Sequence, residues 1–204
     1  MSKWYAQSGE DKMLVRIFRK IRATNRVAVE FGAADGFRKS NTAYFREHGW
    51  IVRQFDIEPL SPLVIEAGIT ADNVNAVFAS TGIPHSFDLL SIDIDGNDLW
   101  VWQALAYKPR VVVIEYNPRW GPRSSRTVPY DPARRWDGTN FYGASALALT
   151  HLGRRKGYDL IASTRSNLIF VRAGLLEPMK PSQIPKASKT KRPDPLNRKW
   201  ELYV

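Results

Sequence analysis

Acids stand at the ends of apolar runs throughout this chain. Val27-Ala28-Val29-Glu30-Phe31 leads into Gly32-Ala33-Ala34-Asp35-Gly36, an acid followed by two glycines four residues apart. Glycine takes positive φ without penalty, and its missing Cβ lets a ligand approach the backbone. The spacing departs from the G-x-G-x-x-G of dinucleotide enzymes, which needs three glycines. Asp56 closes a second apolar run, Trp50–Asp56. An acid there can accept hydrogen bonds from both ribose hydroxyls of a nucleoside, and Glu58, two residues on, competes for that role. Asp93 and Asp95 follow a third run, Phe87–Ile92, and their spacing sets both on one face of an extended segment. Like charges held that close repel unless a cation or hydrogen-bond donors lie between them. Glu115 and Asn117 repeat the spacing after Val111–Ile114. Oxygen donors of this kind suit a hard cation such as Mg²⁺, Mn²⁺ or Ca²⁺.

Strands must carry these residues, and helices must cover the strands. Met13, Leu14, Ile17, Phe18 and Ile21 recur at helical spacing, with Ser8 and Asp11 as a capping signal. The expected order continues with a strand at Val27–Phe31, a helix near Asn41–His48 and a strand at Trp50–Asp56. A short weak strand is read within Leu63–Ile69, then a helix from Thr70-Ala71-Asp72-Asn73 through Ala79. The strand at Phe87 precedes a short helix, Asp98–Ala106, that Pro109 stops. Val111–Asn117 is the strongest strand, apolar until its end, as an interior parallel strand should be. A helix over Ala144–Lys156 and two closing strands, Tyr158–Ala162 and Leu168–Arg172, complete the pattern. Such alternation implies a mostly parallel α/β sheet with helices on both faces and a final antiparallel hairpin. In such sheets ligands bind beyond the carboxyl ends of the strands, where the strand order reverses.

The composition is that of a globular protein, 44% hydrophobic and 25% charged over 204 residues, enough for one domain with a substantial core. No apolar stretch is long enough to span a bilayer, no signal-peptide core follows Met1, and a cytoplasmic location is expected. The absence of cysteine excludes disulfides and zinc–thiolate sites. The net charge is +10, of which the segment from Lys180 onward contributes +5. Arg119, Arg123, Arg126, Arg134 and Arg135 gather in a long polar loop, Pro118–Asn140. Basic segments of this kind attract polyanions, nucleic acid among them. Residues 1–175 are expected to form the domain, and 176–204 a basic, largely irregular tail without chemistry. His48, His85 and His151 are dispersed and form no metal-ligand pattern.

The Glu30–Gly36 turn resembles the first motif of class I S-adenosylmethionine (SAM) methyltransferases. With Gln7–Asp11, Asp88–Asp98, Trp100-Val101-Trp102, Ile114–Asn117 and Trp136–Asn140 it looks like the FkbM-type branch of that family, over residues 5 to 172. The resemblance implies a Rossmann-like fold with a seven-stranded sheet, SAM as cofactor, and methyl transfer to a hydroxyl of a sugar, secondary metabolite or other small acceptor. It implies a cofactor site of Glu30, Gly32, Ala33, Asp35, Gly36, Asp56, Glu58 and Asp93. Asp93 and Asp95 would be catalytic, and Asp93, Asp95, Glu115 and Asn117 would hold Mg²⁺ or Mn²⁺. The sequence shows no lysine near Asp93 to serve as a base. The alternatives are an RNA ribose 2′-O-methyltransferase using the basic loop and tail, and a non-catalytic binding module of the same fold.

Overall fold

Alternation of side chains along the central strands decides how the layers form. In the computed structural model, which describes residues 3–180, 183, 186 and 193–204, β1 (Val27–Phe31) buries every residue. Val29 and Phe31 point to one face, where they join Phe55, Leu90, Ile92, Val112 and Ile114 in a core with Phe78, Leu99, Trp102 and Leu149. Ala28 points to the other, with Leu89, Val111 and Val113 against Leu14, Ile17, Phe18 and Phe45. Two apolar faces require helices on both sides, and the chain supplies them. α1 (Glu10–Ile21) and α2 (Ala43–Glu47) bring Leu14, Ile17, Phe18 and Phe45 to one face, while α3 (Val74–Ser80), α4 (Asp98–Ala104) and α5 (Ala146–Arg155) bring Phe78, Leu99, Trp102 and Leu149 to the other.

The remaining strands are β2 (Ile51–Asp56), β3 (Ile65–Glu66), β4 (Ser86–Ile92), β5 (Lys108–Glu115), β7 (Tyr158–Ser163) and β8 (Asn167–Arg172), with a short β6 (Arg126–Thr127) outside the main sheet. The seven-stranded order is β3-β2-β1-β4-β5-β8-β7, parallel except that β8 runs against both neighbours. This is the expected mostly parallel α/β sheet closed by an antiparallel hairpin. The strand order reverses between β1 and β4, and the register makes that crevice even-floored. Phe31 pairs with Phe55 on one side and Ile92 on the other, and Ile92 pairs with Ile114. Gly32, Asp56, Asp93 and Glu115 therefore follow at one level across four strands.

Several expectations need correction. Ser8 does not cap α1: Gly9, in a left-handed conformation, precedes it, and the Ser8 amide donates to Glu10 Oε2 at 2.8 Å. Pro109 does not stop α4, which ends at Ala104; it lies inside β5, opposite Phe87. Within the long loop lies β6, and the tail, expected to be largely irregular, carries one short strand among its described residues. Glu201–Leu202 forms a strand, β9, that pairs antiparallel with β6. Tyr203 is buried, and its hydroxyl donates to Gln103 Oε1 at 2.5 Å. Lys189, Lys191 and Arg192, three of the seven basic residues expected to attract a polyanion, lie outside the described residues. Among the described residues, no helix is long and apolar enough to cross a membrane.

Candidate functional site

A cavity of about 240 Å³ opens beyond the carboxyl ends of β1, β2 and β4. Gly32, Asp56, Asp93 and Asp95 line it together with Phe55, Ile57, Ile69 and Thr70. Arg134, Arg135 and Trp136 reach it from the loop after β5. The residues between β5 and α5 form a roof, pinned to α4 by two side chains. Trp100 Nε1 donates to the Val128 carbonyl at 2.9 Å, and Asn97 Nδ2 to the Asp131 carbonyl at 2.7 Å.

The glycine turn is shaped first by the protein itself. Gly32 has φ +70°, and a Cβ built on it would stand 1.7 Å from the Asp93 carbonyl oxygen. Its lack of a side chain thus lets β1 pass over β4, before any ligand is considered. Gly36, at φ +77°, makes room for Gln54, whose Oε1 would lie 2.8 Å from a Cβ there. Asp56 accepts the Ala34 amide on Oδ2 at 2.8 Å and the Glu58 amide on Oδ1 at 2.9 Å. Each oxygen keeps acceptor capacity toward the cavity.

Other expected cofactor residues have different places. Glu30 shares the parity of Ala28 and so points to the α2 side. There its carboxylate accepts from Ser40 Oγ and Thr42 Oγ1, both at 2.6 Å, from the Asn41 amide at 2.7 Å and from Gln54 Nε2 at 2.8 Å. It anchors the start of α2 and does not line the cavity. Asp35 accepts the Phe37 and Arg38 amides, which with the Arg38 guanidinium hold its carboxyl down to about 2. Ala33 is buried and donates its amide to the Phe55 carbonyl at 3.1 Å, while Glu58 is exposed. Ala33, Asp35, Gly36 and Glu58 are not among the lining residues.

The acids beyond β4 and β5 do converge. One oxygen from each of Asp93, Asp95 and Glu115 lies within 4.8 Å of the others. Asp95 sits at φ +55°, an uncommon conformation for a non-glycine residue. Burial, then the charges of Asp98, Asp95 and Glu30, push the Asp93 carboxyl well above its ordinary range. Burial and then Asp93, Asp98 and Asp95 do the same to Glu115, whose buried Oε2 has no hydrogen-bond partner among the described residues. Asp95 is raised by burial and by Asp56. Asp98 closes the turn beneath them, accepting the Ile94 and Gly96 amides at 2.9 Å, and burial pushes it up to about 6. The Tyr142 hydroxyl is raised by burial and then by Glu115, whose charge acts on it most strongly among these acids.

Asn117 does not join this cluster. Its Nδ2 donates to the Asn140 and Tyr142 carbonyls at 2.9 and 2.8 Å, and its Oδ1 accepts the Arg119 amide at 3.0 Å. It ties the two ends of the roof together. A cation does face the acids: Lys39, at φ +62°, opposes the rise of both Asp93 and Asp95. Nothing in the sequence marks it, because it approaches from the loop after β1, 54 residues earlier than Asp93.

The fold and site together define an α/β protein with an acid-lined cavity at its switch point. No family model and no curated protein matches the chain. Among solved structures it is similar to the N-terminal domain of EvdMO1 with SAH bound, at 12% identity and TM-score 0.49, with 82% of each chain covered. It is also similar to the small RNA methyltransferase HEN1, at 10% identity and TM-score 0.45, over 93% of this chain and 28% of that one. Similarity this remote assigns neither ligand nor reaction to this chain.

Proposed function

We propose that this protein is a class I SAM-dependent methyltransferase that moves a methyl group to the hydroxyl of a small acceptor. The observation that carries the reading is the meeting of Gly32, Asp56, Asp93 and Asp95 on one cavity at the β1/β4 switch. Asp56, with free acceptor capacity on both oxygens, would hold the ribose hydroxyls. Phe55, Ile57 and Ile69 would flank the base with apolar surface. Bound SAM supplies a sulfonium-activated methyl, so the chain's task is alignment and proton removal. Asp95, next to the cavity and raised by its surroundings, would accept the hydroxyl proton on its carboxylate.

The donor set also fits a divalent cation held by Asp93, Asp95 and Glu115. Three carboxylates crowd together, each raised, and one buried oxygen, Glu115 Oε2, has no hydrogen-bond partner among the described residues. Such a cation lowers the pKa of a bound hydroxyl and fixes its direction. The RNA reading has less support from the roof, because several arginines there are turned inward. The Arg119 and Arg126 guanidinia lie 5.0 and 5.2 Å from the Trp120 ring centre, and Arg134 lies 5.3 Å from that of Phe141.

Titration calorimetry with SAM, with and without Mg²⁺, tests the proposal. Binding is expected in both conditions and tighter with the ion. Absence of heat at millimolar SAM overturns the whole reading, and identical isotherms with and without Mg²⁺ count against the cation.

A further inference from the structure

The roof of the cavity is fastened from an unexpected direction. Trp136, which lines the cavity, begins a turn in which its Nε1 donates to the Thr139 carbonyl at 2.8 Å. Asp137 Oδ1 accepts the Thr139 amide at 3.1 Å and its hydroxyl at 2.6 Å. Arg198, 61 residues later, grips this turn. Its Nη2 donates to Asp137 Oδ2 at 2.6 Å and Thr139 Oγ1 at 3.0 Å, and its guanidinium lies 4.4 Å from the Phe141 ring centre. Asp194 orients it, accepting from Nε at 3.2 Å and from Nη2 at 3.0 Å. Two residues on, Trp200 packs edge-on against both Trp120 and Phe141, with centroids at 5.1 and 5.2 Å. β9 then pairs with β6, and the Tyr203 amide donates to the Ser125 carbonyl at 3.2 Å.

We infer that the segment from Asp194 to Tyr203 is a strap that holds the cavity roof in its ligand-binding geometry, with Arg198 as the positioning residue. Arg198 does not line the cavity; it acts through Asp137 on the turn that places Trp136. An arginine suits the task because its planar fork reaches Asp137, Thr139 and Asp194 at once, which a lysine ammonium cannot reproduce. That the roof serves a SAM-type cofactor rests on the function proposed above; that the strap orders the roof does not.

The test uses the full chain and its Arg198→Ala, Arg198→Lys and Asp137→Asn variants, read by amide hydrogen exchange and by calorimetry with S-adenosylhomocysteine. In Arg198→Ala, exchange over residues 131–140 is expected to accelerate roughly five- to tenfold, the scale of a partly exposed charged pair, while β1 and β4 remain protected. Asp137→Asn should match it, and Arg198→Lys should fall between. Affinity for S-adenosylhomocysteine should drop by a similar factor. Unchanged roof exchange in Arg198→Ala overturns the strap. Faster roof exchange with unchanged affinity overturns its positioning role. If the unaltered protein binds no S-adenosylhomocysteine, the proposed function fails, and the exchange result alone decides the strap.

Discussion

At the scale of single residues, Asp56 and the acids beyond β4 are the groups on which the proposed reaction would depend, and each has a separable signature. Asp56→Asn keeps a side-chain oxygen for the Ala34 amide but loses the charge offered to a diol. Charged hydrogen bonds contribute about 1.5–3 kcal/mol, so SAM affinity should fall roughly 10- to 100-fold with little change in melting temperature. Calorimetry with the variant checks this, and unaltered affinity removes Asp56 from the site. The acids predict an unusual dependence on pH. Asp98 has a folded-state value of about 6, above its ordinary 3.8, so the folded state binds its proton more tightly than the unfolded state. Such a group stabilises the fold as pH falls through that window, by up to about 3 kcal/mol for a two-unit rise. Asp93 and Glu115 are shifted in the same direction. Asp35 and Asp137, held down to about 2, lose stability only as pH falls below the ordinary carboxylate range. Urea unfolding should therefore show stability rising from pH 7.5 to pH 5. Millimolar Mg²⁺ or Mn²⁺ should stabilise the protein at pH 7.5 and much less at pH 5, where protons compete for the same oxygens. A steady fall in stability from pH 7.5 to pH 5 would show that these acids are not strained by one another.

At the scale of elements, what the sequence disclosed followed from periodicity, and what it hid followed from contacts across the chain. The run Val111-Val112-Val113-Ile114 reads as an interior strand because both faces are apolar, and β5 is such a strand. The two-residue spacing of Asp93 and Asp95 was legible, as was the position of Asp56 at a strand end. Glu30 was legible as a strand-end acid but not in its role. Only the pairing of layers shows that its parity turns it toward Ser40 and Thr42. Asn117 likewise has the right type and spacing for a ligand, yet Asn140 and Tyr142, beyond a loop of over twenty residues, claim its amide. β6 and β9 have two residues each, too few for any periodic signal, so no local pattern shows their pairing. The glycine turn yields an element-scale prediction. Any side chain at Gly32 would collide with the backbone of Asp93 at positive φ, so Gly32→Ala should separate β1 from β4. A destabilisation of more than about 3 kcal/mol is expected in urea unfolding, with SAM binding lost as a consequence. Normal stability with lost binding would instead mean that the glycine serves the ligand alone.

At the scale of the whole molecule, the question is whether residues 193–204 are an appendage or part of the cooperative unit. Charge alone suggests an appendage, since the region from Lys180 is strongly basic. Packing says otherwise. Tyr203 is 7% exposed and belongs to the core cluster that contains Phe31, Trp102 and Phe170. Its ring meets Trp100 edge-on at 6.1 Å, Arg155 lies 4.7 Å from its ring centre, and its hydroxyl reaches Gln103 on α4. Leu202, one residue earlier, is 72% exposed, so burial here is specific to the residue that faces α4. Removing a buried aromatic ring costs about 3–5 kcal/mol when the cavity cannot collapse, and somewhat less near a surface. Tyr203→Ala should thus lower stability by about 3 kcal/mol, a fall in melting temperature of roughly 6–12 °C for a chain of this size. The transition should remain single, because α4, the roof and the sheet share that core. Leu202→Ala, by contrast, should change stability by less than about 0.5 kcal/mol. If Tyr203→Ala melts like the unaltered protein, or if a separate early transition appears, the segment folds apart from the domain. Its contacts with the roof would then contribute nothing to the stability of the whole.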